Sequence, residues 1–289
     1  MSMDEEIRFL LNLQLLADEI EESVPGLRFY AGKDEQCLEG ICFYLPGMEL
    51  PSRYACIVRA EELKTVPVPD RHCSLVAAGP VPEEWKNGFH TILEFPENTD
   101  PMRLMNLCQE AFHRHRAWAE SLRNIVMREG SVDELCAASY PYFQNPLFVH
   151  DAQLHVISCP VWREGMIAWE KDELTGLMIT PLEELNELKT DKEYLSTLTT
   201  KKAQIFSAEL RGYRDIYVNI WDPHGRYEGR LVICELEHPL KPGQFAAAEY
   251  LAGLIRLTMS RRGHREKTYK KTLYQMIDGM IRGKEFSPS

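Results

Sequence analysis

The chain has 289 residues, 44% apolar and 27% charged, with 44 Asp and Glu against 33 Lys and Arg for a net charge of −11. These ordinary globular values exclude a disordered, collagen-like or fibrous chain, and the length suits one large domain or two smaller ones without disulfide or metal support. The acidic balance argues against nucleic-acid binding by the whole chain, because phosphate contacts need a Lys/Arg footprint.

The first residues, MSMDEEIRFL, are acidic at once and lack the basic region of a signal peptide. Apolar Ile7, Leu10, Leu11, Leu13, Leu15 and Leu16 recur near helical spacing, which predicts a helix over 4–23 that stops at Pro25-Gly26. Short β-like runs follow at 38–45, 54–58, 74–78 and 91–95, separated by Gly, Pro and Asp clusters. Together they predict a small α/β domain over 1–100. It is also the acidic part, since residues 1–70 hold 14 Asp and Glu against 6 Lys and Arg.

Residues 101–129 read as one long helix with Asp100 as N-cap and Pro101 in the first turn. Leu104, Cys108, Ala111, His115, Trp118, Leu122 and Ile125 form an a/d seam over three heptads. The seam suits either a helix packed on its own domain or a signalling helix that also meets a partner subunit. It makes 101–130 a linker and dimerisation segment.

Ser131-Val132-Asp133-Glu134 predicts a capped helix start, with the helix running to about Phe143. A hairpin over 147–150 and 154–158 follows, then mostly helical, polar residues over 181–200. Strands are expected at 203–208, 215–221 and 230–235, with a turn at Asp222-Pro223-His224-Gly225, and a closing helix at 244–262. The order predicts, for 131–263, an antiparallel sheet with its first and last helices on one face. Alternation in 215–221 puts Ile216, Val218 and Ile220 on the helix-covered face and Tyr217, Asn219 and Trp221 on the other. A further helix is expected at about 267–281.

No catalytic signature of the Gly-rich, nucleophile-elbow or HExxH kind occurs, so no catalytic residue is assigned and the chain is not expected to be an enzyme. His72 beside Cys73 lacks further ligands, and His113 and His115 point to different helix faces, so no metal and no cofactor is expected. The eight cysteines are scattered without a C-x-x-C pair and read as reduced thiols of a cytoplasmic protein, with Cys37 and Cys42 a weaker redox reading. No apolar stretch approaches the 18 or so residues of a membrane span.

Ligand contacts are expected in the second domain from Trp162, Trp169, Tyr213, Tyr217, Asn219 and Trp221, because pockets combine aromatic walls with a few polar anchors. Arg211 and the neighbouring Arg214 could grip a carboxylate or phosphate. The alternatives are that the aromatics only cover the sheet and the arginines are solvated. The loop 159–180, with two Trp, two Gly and a Pro, suggests a lid. Residues 256–272 carry seven Lys and Arg against one Glu, which suits either a solvated helix end or a phosphate-facing linker.

The stretch 112–118, then Glu134-Leu135, then Asn145-Pro146-Leu147-Phe148-Val149-His150-Asp151, resembles regulators of the PucR/CdaR type. Gly229-Arg230-Leu231-Val232-Ile233, the helix over 240–259 and Leu273-Tyr274-Gln275-Met276-Ile277-Asp278-Gly279 are similar to later parts of that family. The resemblance spans roughly residues 100–283. It implies an α/β sensory domain joined by a helix to a GAF-like domain, a small-molecule effector and a homodimer. The family's helix-turn-helix should follow near the end, and the chain stops at Ser289, so DNA binding is expected only through a module absent from it. Residues 264–289 are then a helix leading towards that module. The fold expectation is therefore α/β plus α+β: a small α/β domain, a long linker helix and a GAF-like antiparallel-sheet domain with helices on one face.

Overall fold

A computed structural model describes residues 9, 11–32, 38–173 and 176–261. The expected helix at 267–281, most of the basic stretch and Cys37 lie outside them.

Helix α1 spans Leu13–Ile20; residues 4–8 and 10 of the helix expected over 4–23 lie outside the described residues. Leu11 instead makes an antiparallel bridge with Leu38. The Asn12 side chain accepts a hydrogen bond from Leu15 N at 2.9 Å, capping the helix there. Strands β1 (Arg28–Tyr30), β2 (Gly40–Phe43), β3 (Tyr54–Arg59), β4 (Ser74–Ala78) and β5 (Thr91–Phe95) follow. They form one sheet in the order β1-β5-β4-β3-β2, parallel except for the antiparallel β1. One face, with Ala55, Ile57, Val76 and Leu93, joins the core under the helices. The other, with Cys56, Val58, Leu75 and Ile92, is covered by short 3-10 turns that bring in Leu63 and Trp85.

Helix α2 (Pro101–Met127) starts as expected, with Asp100 accepting from Met102 N. All seven seam residues are buried within the chain itself. They pack against α1, the first sheet and α3 (Val132–Phe143). The apolar stripe of α2 thus has an intramolecular cover, as in the reading of a helix packed on its own chain. α3 is held at its start by a capping box between Ser131 and Glu134.

The second sheet consists of β6 (Leu147–Asp151), β7 (Val156–Ser158), β10 (Gln204–Phe206), β11 (Asp215–Trp221) and β12 (Tyr227–Cys234). Its order is β7-β6-β12-β11-β10, with every pair antiparallel. Between β7 and β10 come a two-strand ribbon, β8 (Glu170–Lys171) with β9 (Met178–Ile179), and helices α4 (Leu182–Thr190) and α5 (Lys192–Thr197). Helix α6 (244–261) closes the described chain. Ile216, Val218, Ile220, Leu231 and Ile233 pack with Leu135, Phe143, Ala247 and Leu251, so α3 and α6 share one face of this sheet. The expected architecture is present. Among the described residues no helix is long and apolar enough to cross a membrane.

The two halves also touch directly. Asp18 of α1 accepts a 2.5 Å hydrogen bond from Gly243 N, at the entry to α6. A Cβ at residue 243 would lie 2.8 Å from the Leu15 Cα, so only glycine permits this approach.

Candidate functional site

The face of the second sheet opposite the helices carries larger and more polar groups. Alternation along three neighbouring strands presents Phe148 and His150 from β6, Arg230 and Val232 from β12, and Tyr217 and Asn219 from β11. At residue 229 a Cβ would fall 2.1 Å from the His150 carbonyl oxygen, so glycine lets β12 lie close to β6 beside Arg230. The segment between β7 and β10 lies over this face and buries Met166, Ile167, Leu188 and Tyr194 against it.

Arg230 organises the site. It is 3% exposed. Its Nε donates to Asn219 Oδ1 at 2.8 Å and its Nη2 to Thr197 Oγ1 at 2.6 Å. The guanidinium lies 4.6 Å from the Tyr217 ring centroid and 5.0 Å from that of Tyr194, within range of cation–π attraction. Asn219 Nδ2 in turn donates to the carbonyls of Thr197 (2.7 Å) and Thr200 (3.0 Å). Those carbonyls lie at the end of α5, where helical partners run out, so the network fastens the covering segment to the sheet.

Two further charges sit nearby. Asp215 is buried and pairs with Arg211 at 3.3 Å. Burial pushes its carboxyl up to about 6, against the lowering effect of Arg211 and Arg230. His150 is also buried, and burial pushes its pKa down to about 4, so the ring is neutral at physiological pH. Its Nδ1 lies 2.8 Å from the Asp151 carbonyl, which makes Nδ1 the protonated nitrogen and leaves Nε2 as an acceptor.

These groups line a cavity of about 10 Å³, closed by Phe148, Trp169, Thr180 and Phe206. That is room for about one water. Beside it an open cleft of about 220 Å³ runs between Gly165–Ile167, Glu184, Glu187, Leu210 and Tyr213. Ile167, Leu188 and Arg211 belong to both walls, so a thin side-chain partition separates the two spaces.

The residues expected from sequence are distributed over this region. Trp169 and Arg211 line the cavity, and Tyr213 lines the cleft. Tyr217 and Asn219 lie beneath and beside Arg230. Trp162 is half-exposed, and its Nε1 donates to the Ile167 carbonyl, bracing the 162–167 turn. Trp221 stands at the sheet end, donating to Thr200 O, outside the cavity lining. Arg214 is also outside: its Nε donates to Glu235 Oε2 at 2.6 Å on the surface. Arg230, His150, Asp215 and Tyr194 were not among the expected site residues. The one signal for Arg230 was a lone cation inside the apolar run 229–234.

No family model matches the chain, and no curated protein does. Among solved structures, the cofactor-binding GAF domain of the nutrient sensor CodY from Clostridium difficile is similar at 17% identity and a TM-score of 0.36. The overlap covers 52% of this chain and 97% of that one. The DhaR(N)–DhaL complex from E. coli is similar at 12% identity and a TM-score of 0.28, over 56% of this chain and 57% of that one. Overlaps this loose carry no residue role or ligand across.

Proposed function

We propose that this chain is the ligand-sensing and dimerisation region of a cytoplasmic transcriptional regulator of the PucR/CdaR type. In this reading residues 1–100 are an α/β sensory domain, 101–130 a linker helix, 131–263 a GAF-like domain, and 264–289 lead towards a DNA-binding module. A small metabolite binds between the polar face of the second sheet and its covering segment. The observation that carries this reading is the buried polar cluster of Arg230, Asn219, Thr197, Asp215 and Arg211 around a cavity. A sheet face that served packing alone would be stabler with apolar side chains there, because buried charge is costly.

The strands that line the cavity also hold α3 and α6 on their reverse face, so a ligand that reshapes the cavity acts on the helix layer. It shifts an equilibrium only as far as its affinity differs between two states. The a/d seam of α2 is used within the chain, so a homodimer forms through other surfaces. The smallness of the cavity favours one second reading, a ligand-free interaction module in which the polar cluster only locks the fold.

Native mass spectrometry beside a denaturing spectrum separates these readings. A dimer with a non-covalent adduct is the expected result. A bare dimer whose melting temperature no metabolite raises would leave the interaction module. A bare monomer would remove dimerisation.

A further inference from the structure

We infer that the metabolite bound at this site is a small monocarboxylate, gripped by the guanidinium of Arg230 with Arg211 beside it and its apolar remainder directed along the cleft. This inference rests on the sensing role proposed above and adds the chemical class of the ligand.

The cavity lining contains two guanidiniums, Arg211 and Arg230, one carboxylate, Asp215, and the neutral ring of His150. Asp215 forms its ion pair with Arg211. Among the described residues no carboxylate lies within ion-pair distance of Arg230, although Arg230 is almost fully buried. The lining therefore carries one positive charge in excess, in a place from which bulk water is excluded. Such a charge is costly until an anion meets it.

Nε and Nη2 of Arg230 are engaged by neutral acceptors, Asn219 and Thr197, which fix the plane of the guanidinium without neutralising it. Tyr194 and Tyr217 flank that plane within cation–π range. This is a pre-set planar donor of the kind that matches a carboxylate. In the adjoining cleft Tyr213, 7% exposed, has a hydroxyl beside the Cys234 thiol and without a nitrogen or oxygen partner. It is a second donor on the side of Arg211.

The charge balance selects a monoanion. One excess positive charge is balanced by one carboxylate. A phosphate dianion would overshoot it, and the cleft mouth already presents Glu184 and Glu187. The apolar remainder meets Trp169, Phe148 and Ile167, and displacing the Ile167–Leu188 partition joins the cavity to the 220 Å³ cleft.

The test titrates the full chain with acetate, butanoate and benzoate, each beside its uncharged amide, and with inorganic phosphate, at matched ionic strength. Melting temperature and tryptophan fluorescence are read together. At least one acid is expected to raise the melting temperature, with its amide needing at least tenfold more for the same shift. Arg230→Gln should abolish the response. Because Arg230 also holds the Asn219–Thr197 network, Arg211→Gln is measured too and should weaken the acid at least tenfold. Arg214→Gln on the surface should respond like the parent chain. Equal response to acid and amide, a stronger response to phosphate, or no response to any acid would overturn the carboxylate. Sensing itself would survive that result if native spectra show an uncharged adduct, and would fall with it if they show none.

Discussion

The two faces of strand β11 are built from adjacent residues and do opposite things. Ile216, Val218 and Ile220 meet two helices in a dry layer. Tyr217 and Asn219 meet an irregular segment through a hydrogen-bonded network around a buried cation. The first face gains by excluding water, wherever the apolar atoms happen to sit. The second gains only if each donor finds its acceptor, and so depends on geometry. A sheet can thus be stable on one side and specific on the other, because the pleat keeps the two sets of side chains apart.

The comparison predicts unequal costs. Ile216→Ala, on the helix side, should lose about 2–5 kcal/mol of unfolding free energy, read by urea denaturation, because the rigid layer cannot close the void. Asn219→Ala, on the network side, should lose about 1–3 kcal/mol by the same measurement, from the lost Nδ2 hydrogen bonds to Thr197 and Thr200 and from the Arg230 Nε left without its acceptor. Its distinctive mark should be faster amide exchange across 192–200 with β12 unchanged. If Asn219→Ala loosened β12 as much as α5, the network would not be the fastening it is taken to be.

Acid should separate the faces further. His150 has a folded pKa below its unfolded value, so it contributes stability at neutral pH that is lost as pH falls from about 6.5 towards 4. His115, buried at the α1–α2 contact with its pKa also pushed down to about 4, acts in the same sense. Asp215 has a folded pKa raised to about 6, so its contribution is greatest below its unfolded pKa near 4 and is lost as pH rises through 6. The aspartate therefore offsets one histidine between pH 4 and 6. Asp215→Asn should steepen the acid loss over that window by up to about 1.4 kcal/mol per pH unit, the slope of one proton, as read from denaturation at half-unit steps. An unchanged slope would mean that Asp215 is ionised throughout.

The smallest effect belongs to the surface. Arg214→Gln breaks the exposed pair with Glu235 and should change stability by about 1 kcal/mol or less. A larger loss would place Arg214 back among the structural residues of this domain.

Legibility in the sequence followed the same division. Apolar runs with clear punctuation, 74–78 and 91–95, became strands with the expected bounds, and so did the alternating run 215–221. β1 escaped notice because three residues leave too few positions for a period of two. The break at Leu11 and Asn12 was missed because the leucines keep helical spacing while the Asn12 side chain offers the backbone a better bond. The α2 seam was visible, but its cover comes from residues distant in sequence. Arg230 was hidden for a related reason. A cation in a strand ordinarily faces water, and its burial depends on Thr197 and Tyr194, more than 30 residues away.

The contact between Asp18 and Gly243 bears on how the molecule comes apart. A carboxylate from the first helix occupies a backbone donor at the entry to the last described helix, in a gap too narrow for any side chain at residue 243. Lys241 Nζ adds a second tie, to the Asp18 carbonyl at 3.0 Å. The order along the chain reads as two halves in series, yet its first and last described helices are locked together. Heat should therefore melt both halves in one calorimetric transition, with van't Hoff and calorimetric enthalpies in agreement. A fragment cut at residue 100 would inherit an uncovered flank where α1 had been.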